Sequence, residues 1–417
     1  MDEKIREELL KLFKSKLSQS MRYYLETCSR CGTCTEACHA YVSTGQVKYI
    51  AAYRHEIVRR LYKKYFKGPG NLPAALGESK ELNDLTIEAL YEAAYSCTGC
   101  RRCMVFCPHG IDTQMLMSIA KLLLVGASAE PEILSMLADT SIEKGKSLDF
   151  FKEDFLLAVK NLEAQVVEKW KLEAGKTPIP MDVEGADLLY VALAGAHSIV
   201  PAAVIFNAAR ENWTLSFFEA VNFGAFVGDP TRTRLILDRI IQEALRLKVK
   251  EVVICECGTA FRVMKQQAGR QPFKVSSITE VHARYLREGR IKLDRTKFPE
   301  PITYHDPCQM ARNAGVIDEP RTILKYLTND FRDMTDDVRY NWCCGGGGGL
   351  VALGEDTLDF RMKSSKVKVD QVKKTGAKIL ATSCENCHTQ LSDLNQHYQM
   401  GVEVKFLSSL MADALVH

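Results

Sequence analysis

The chain has 417 residues, a formal net charge of +3 at neutral pH, 46% hydrophobic residues and 26% charged residues. This is the make-up of an ordinary globular protein long enough for two or three domains. So nearly balanced a charge, with no polybasic tail and no RNA-binding or zinc-finger signature, argues against nucleic acid as a partner.

The opening MDEKIREELLKLF is charged and helical in pattern, unlike a secretory signal. Ile5, Leu9, Leu12, Phe13 and Leu17 recur at helical spacing, which predicts one amphipathic helix over residues 2–26. It leads into Cys28-x2-Cys31-x2-Cys34-x3-Cys38, and the same spacing returns at Cys97-x2-Cys100-x2-Cys103-x3-Cys107-Pro108. In this bacterial-ferredoxin arrangement three cysteines hold three corners of a [4Fe–4S] cube and the fourth ligates the other cube. The expected ligand sets are therefore Cys28, Cys31, Cys34 with Cys107, and Cys97, Cys100, Cys103 with Cys38. Zinc is the competing reading, since it also takes four cysteines, but zinc modules normally offer two close pairs far apart.

Between the two runs lie 58 residues, far more than a small ferredoxin carries. Residues 47–66 and 82–94 read as helices on either side of the breaker Gly68-Pro69-Gly70-Asn71-Leu72-Pro73, so the cube-binding region is helical. The basic residues Arg54, Arg59, Arg60, Lys63, Lys64 and Lys67 read as one solvated helix face, with docking of an acidic partner as the alternative. Asp112 or Thr113 then N-caps the first of several helical segments that run to about Ala174 as a connector. The step Lys176-Thr177-Pro178-Ile179-Pro180 predicts a boundary, because X-Pro disfavours helix.

The most apolar stretch, Ala186 to Ala209, contains Asp187, Gly195, Pro201 and Asn207, and reads as strand, loop and helix rather than a membrane span. Strands are expected at 187–193 and 251–254 around a helix at 231–247, and again at 302–304 and 378–381 around a helix at 358–373. Strands alternating with helices of this length predict parallel α/β sheets.

The second half carries Cys308, Cys343-Cys344 followed by five glycines, and Cys384-x2-Cys387, a pattern of C-x34-C-C-x39-C-x2-C. Adjacent cysteines bond each other only with strain, and a glycine run lets backbone come close to a bulky object. Five thiolates are expected to converge on one metal cluster. No Gly-Lys-Ser/Thr follows the glycines, so this is not a phosphate loop. With 15 cysteines in all, at least one sulfur has a different role. The two halves match at their loops: Asn222-Phe223-Gly224 stands where Cys343-Cys344-Gly345 stands, and Cys255-Glu256-Cys257-Gly258 where Cys384-Glu385-Asn386-Cys387 stands.

These residues resemble the CCG motif of heterodisulfide reductases, and the α-helical region resembles the two-cluster domains of fumarate-reductase iron–sulfur subunits. The whole layout resembles the D subunit of membrane heterodisulfide reductase, and still more the K subunit of the membrane complex that serves dissimilatory sulfite reduction. There the first lobe keeps Asn-Phe-Gly and Glu-Cys-Gly segments in place of a full motif. The resemblance implies a multidomain fold: a helical two-cluster domain over 1–130, a helical connector over 131–180, a degenerate CCG-type α/β lobe over 181–295, and a CCG lobe over 296–417. It implies two cubane [4Fe–4S] clusters and one noncubane [4Fe–4S] cluster held by Cys308, Cys343, Cys344, Cys384 and Cys387. Gly345, Gly346, Asn222 and Gly224 would wall that site.

The function so implied is single-electron transfer through two cubes to a site that reduces a disulfide-type substrate. The alternative is an electron relay between a quinone, haem or flavoprotein partner and another reductase, with no substrate of its own. Electrons must come from a partner, since no dinucleotide or evident flavin motif is present; the expected location is the cytoplasmic face of a membrane, held there through partner subunits. His305 and His388 flank ligand cysteines and either protonate a leaving thiolate or cap and pack beside the cluster. Cys257, favoured over Cys255 to face the site, is a redox thiol, a further sulfur contact or a small buried hydrophobe. Glu256 relays protons or is a loop charge.

Overall fold

The computed structural model describes residues 1–67, 78–146, 148–171, 178–193, 195–219 and 222–416. Two compact units emerge, each assembled from segments distant in sequence. The first gathers Met1–Ala138, Phe223–Thr233 and Trp342–Asp370, and the second Asp139–Asn222, Arg234–Asn341 and Gln371–His417.

The first unit is helical. The helix expected over 2–26 is two helices, Glu3–Ser15 and Gln19–Thr27. The break follows from Ser18, whose hydroxyl accepts from Met21 N at 3.2 Å and so caps a new helix where a single one would have run on. Asp2 caps the first helix in the same way, accepting from Lys4 N at 2.7 Å. Helices Ala51–Phe66 and Asp84–Tyr95 fall where the periodicity places them. Thr113–Gly126 is capped by Asp112, which accepts from Gln114 N at 3.0 Å. Its Gly126 lets the helix lie against the N-terminal one, since a Cβ there would be 2.7 Å from Leu9 and Leu12 side-chain carbons. Leu9, Phe13, Leu61, Leu116 and Leu123 form the core, and Phe226, Val227 and Leu353 join it from the two later segments. At about 1.5–3 kcal/mol for each fully buried large side chain, those late arrivals are a material part of this core.

The second unit contains two parallel sheets. One has the order β2-β1-β3-β4, from Leu188–Ala192 (β1), Trp213–Glu219 (β2), Glu251–Ile254 (β3) and Lys274–Ser277 (β4). The other has the order β5-β6-β7, from Ile302–His305 (β5), Ile379–Thr382 (β6) and Glu403–Phe406 (β7). Strands β1, β3, β5 and β6 lie where the short apolar runs predict them; β2, β4 and β7 have no counterpart among the expected strands. Helix Pro230–Arg246 follows the expected course, whereas the one expected over 358–373 is broken at Ser365 into Leu358–Ser364 and Lys366–Thr375. Gly195 (φ +124°) turns the chain from β1 into helix Ala196–Ala208. Among the described residues no helix is long and apolar enough to cross a membrane. The breaker at 68–73 and residues 176 and 177 of the expected boundary lie outside the described residues.

Candidate iron–sulfur centre

In the first unit the two cysteine runs interleave. One hollow, partly open to solvent, is lined by Cys28, Cys31, Cys34, Cys103 and Cys107. A second is lined by Cys38, Cys97, Cys100 and Cys103. Cys107 thus lies beside the first run and Cys38 beside the second.

Each loop wraps its hollow with two left-handed residues around the second cysteine: Arg30 (φ +58°) and Gly32 (φ +81°) in one run, Gly99 (φ +65°) and Arg101 (φ +58°) in the other. A side-chain-bearing residue in that conformation costs about 1–2 kcal/mol. Here carboxylates hold both arginines: Arg30 pairs with Glu78 at 2.7 Å and Glu56 at 3.1 Å, and Arg101 with Asp112 at 2.8 Å.

The basic stretch from Arg54 to Lys67 is not a solvated face. Arg59 and Arg60 pair with Glu56, Lys63 with Glu78, Lys64 with Glu81 and Lys67 with Glu26. Arg54 is buried at 3% exposure, with Nη1 donating to Tyr49 O at 2.7 Å and Nη2 to Ser96 O at 2.9 Å. Nη1 also reaches Cys38 Sγ at 3.6 Å. Its buried Nε–H finds no acceptor within the protein, although Arg54 borders the second hollow. Four thiols, a wrapping backbone and an orphaned buried donor fit an anionic sulfur-bridged cluster in that hollow.

The CCG segment begins with Trp342 under the Arg102 guanidinium, 3.4 Å from ring centre to carbon. Cys343 and Cys344 are buried. The Cys343 thiol reaches Thr98 Oγ1 at 3.4 Å, beside Cys97. Gly345 N–H points to Cys343 Sγ at 3.4 Å and Gly346 N–H to Cys344 Sγ at 3.5 Å, donors that favour thiolates.

The remaining glycines have another purpose than walling a cluster. A Cβ on Gly347 would be 2.9 Å from Thr98 O, and one on Gly348 would be 2.5 Å from Cys97 O. A Cβ on Gly349 would be 3.0 Å from Leu134 and 3.3 Å from Phe226 side-chain carbons. Lys121, buried, donates to Phe226 O at 2.6 Å and Gly348 O at 2.9 Å, and so clips the helix Phe223–Val227 to the glycine run. Burial pushes its ammonium down to about 7, against the pull of Cys97. Gly224 is needed for a different approach, because a Cβ there would meet Thr233 N at 2.6 Å.

In the second unit Cys308 follows β5, and Cys384 and Cys387 follow β6, all buried. His305 ends β5, and one of its ring nitrogens comes within 4.8 Å of Cys387 Sγ. Beside it the buried Asp306 accepts from Arg321 Nη1 at 2.8 Å, from Arg321 Nη2 at 3.0 Å and from Asn341 Nδ2 at 3.0 Å, fixing the residues that precede Trp342. Cys384 N-caps helix Glu385–Tyr398. A hydrogen bond from the Cys387 side chain draws the Cys384 thiol down. The His388 ring stacks on Phe406 at 4.2 Å, and burial holds it below its ordinary value, which supports the packing role over proton transfer.

The corresponding loop after β3 carries Cys255 and Cys257, both buried. Cys257 Sγ reaches Asn222 Oδ1 at 3.7 Å, and burial followed by the nearby Cys384 pushes its thiol up to about 12. Glu256 is no loop charge: it is enclosed, its carbonyl accepts from Glu385 N at 2.8 Å and its carboxylate from Ser408 N at 3.3 Å, and burial pushes it up to about 7. His197 pairs with Glu385 at 3.0 Å.

Sequence reasoning missed Arg54, Lys121, Arg321 and His197. Arg54 shares its helix with the exposed Lys64, and Lys121 is the one charge in an otherwise apolar helix, the signal that could have marked it.

Residues 24–111 match the 4Fe-4S dicluster domain and residues 302–392 the CCG cysteine-rich domain. The chain is similar to the Hdr-like menaquinol oxidoreductase iron-sulfur subunit 2 of Archaeoglobus fulgidus, 27% identical over 96% of this chain and 81% of that one. It is also similar to the D subunit of the dihydromethanophenazine:CoB–CoM heterodisulfide reductase of Methanosarcina barkeri, 28% identical over 94% of each. The EtfAB:quinone oxidoreductase of Syntrophomonas wolfei is 24% identical over 88% of this chain and 55% of its own length.

Proposed function

From a chain that joins a 4Fe-4S dicluster domain to a CCG domain, and that is similar over nearly its whole length to oxidoreductase iron–sulfur subunits, we propose a two-cubane, one-noncubane electron path ending at a sulfur site. Cys28, Cys31, Cys34 and Cys107 hold the entry cube, Cys97, Cys100, Cys103 and Cys38 the second, and Cys308, Cys343, Cys344, Cys384 and Cys387 the terminal noncubane cluster. When bound, these clusters supply reversible one-electron chemistry at each ligand set.

The chain's own residues do the rest. Gly345 and Gly346 present N–H donors to the paired sulfurs, Asn222 and Gly224 line the opposing segment, and His305 is a proton source beside Cys387. Glu256 and Cys257 are the secondary candidates there, while His388 packs on Phe406. Reduction of a heterodisulfide or a protein disulfide consumes two electrons and two protons and releases two thiols. The electrons come one at a time from a quinol- or haem-bearing partner or a flavoprotein, with this chain peripheral on the cytoplasmic membrane face. The four regions 1–130, 131–180, 181–295 and 296–417 divide this work as cube carrier, connector, vacant lobe and cluster lobe.

The observation that carries this reading is the approach of the Cys343 thiol to Thr98, next to the ligand Cys97. Electrons reaching the second cube then have a short way to the paired cysteines. The similarity to an EtfAB:quinone oxidoreductase favours a second reading, in which the same path serves as relay without a substrate.

EPR of the oxidised protein separates the two. With candidate thiols added, a paramagnetic signal that disappears in Cys343→Ala supports the sulfur site. If wild type with active partners develops no such signal, the relay reading stands.

A further inference from the structure

The two four-cysteine sets are alike in ligands and unlike in charge. Arg30 borders the hollow of the Cys28 set and Arg101 that of the Cys97 set, but each of these guanidinium groups is paired with carboxylates. A further difference lies between neighbours on one helix. His55, held by Tyr24 O at 2.8 Å, borders the first hollow and brings no permanent charge. Arg54 borders the second and is a permanent cation.

Arg54 donates to neutral oxygens and to a cysteine sulfur: Tyr49 O, Ser96 O, Ser96 Oγ at 3.1 Å and Cys38 Sγ. Its Nε–H has no protein acceptor. A guanidinium buried to this depth without a carboxylate is costly unless negative charge faces it. The thiolate-held cluster of the second set is the negative charge available to face it.

We propose that Arg54 is a positioning residue that fixes Cys38 and makes the Cys38, Cys97, Cys100 and Cys103 set the stronger electron acceptor of the two. Each electron that leaves the Cys28 set oxidises that cube and reduces the second, with no bond made and no proton moved. A quinol, haem or flavin partner re-reduces the first. The guanidinium stabilises the added negative charge through a poorly screened interior, so the bias is directed toward Cys97 and onward to the CCG segment. The inference rests on the cubane reading above and adds the direction of flow within it.

The test is a stepwise reductive titration of the full-length protein followed by EPR, with the signal of the second cube identified by its loss in Cys100→Ser. In wild type the Cys100-dependent signal is expected to appear first. In Arg54→Gln it is expected to move to lower potential while the other signal stays in place. If the Cys100-dependent signal appears second in wild type, or if Arg54→Gln retains its iron and leaves that midpoint unmoved, the proposal is overturned. The wild-type order decides even where Arg54→Gln loses a cube. Iron and acid-labile sulfide content tests the underlying reading separately, since zinc without sulfide removes the cubes themselves.

Discussion

Replacing Gly348 by alanine should loosen the first unit more than any other single methyl group in the glycine run. Two costs add. Gly348 has φ +71°, where an L side chain costs about 1–2 kcal/mol. Its Cβ would also stand 2.5 Å from Cys97 O and 3.2 Å from Thr98 Cα, both backbone atoms that cannot rotate aside. Overpacking of that kind costs about 1–3 kcal/mol, so the sum is about 2–5 kcal/mol. Gly45 supplies the control: its φ of +71° carries a like conformational cost, but nothing lies within 4 Å of the added methyl group. The assay is the urea midpoint at which the visible cluster absorbance bleaches, compared for wild type, Gly348→Ala and Gly45→Ala. Gly348→Ala should bleach at clearly lower urea than Gly45→Ala, with a changed EPR line shape for the Cys97 set. Equal midpoints for the two variants would refute the close approach of the glycine run to Cys97.

Two further outcomes are expected. Glu256 is raised from an ordinary value of 4.5 to about 7 by burial, so the native state binds more protons than the unfolded chain between those values. Stability from this group is complete below about pH 4.5 and is lost as pH rises through about 7, up to about 3 kcal/mol; Glu256→Gln should flatten that part of the urea-midpoint profile, and an unchanged slope would contradict it. Arg321→Met leaves Asp306 buried without its cationic partner and should cost about 3–5 kcal/mol. Adding Asp306→Asn should recover most of that loss, and a single variant as stable as wild type would show that the pair does not hold the Cys308 loop.

How much of this is legible in the sequence depends on how local the signal is. Cysteine spacing is set by cluster geometry, so the nearness of Cys107 to the first run and of Cys38 to the second is an expectation local spacing can supply. Strands β1, β3, β5 and β6 announce themselves as buried apolar runs. By contrast β4 reads KVSS and β7 EVKF, too polar for that signal, and their pairing with β3 and β6 supplies what composition does not. Arg54 looks like the other bases of its helix because helical spacing gives the face of a residue and not what lies against it. The glycine run reads as a cradle for a cluster alone. That Gly347 and Gly348 meet the backbone of Cys97 and Thr98 is a contact across some 250 residues, which no local pattern encodes.

The first unit's three-part make-up bears on how the protein is born. A ribosome releases residues 1–138 long before 223–233 and 342–370, so all eight cysteines of the twin runs emerge while Phe226, Val227 and Leu353, part of the core beneath them, are still untranslated. Until the glycine run is translated, the backbone of Cys97 and Thr98 lacks the residues that pack against it, so the first unit closes its core only after most of the chain has left the ribosome.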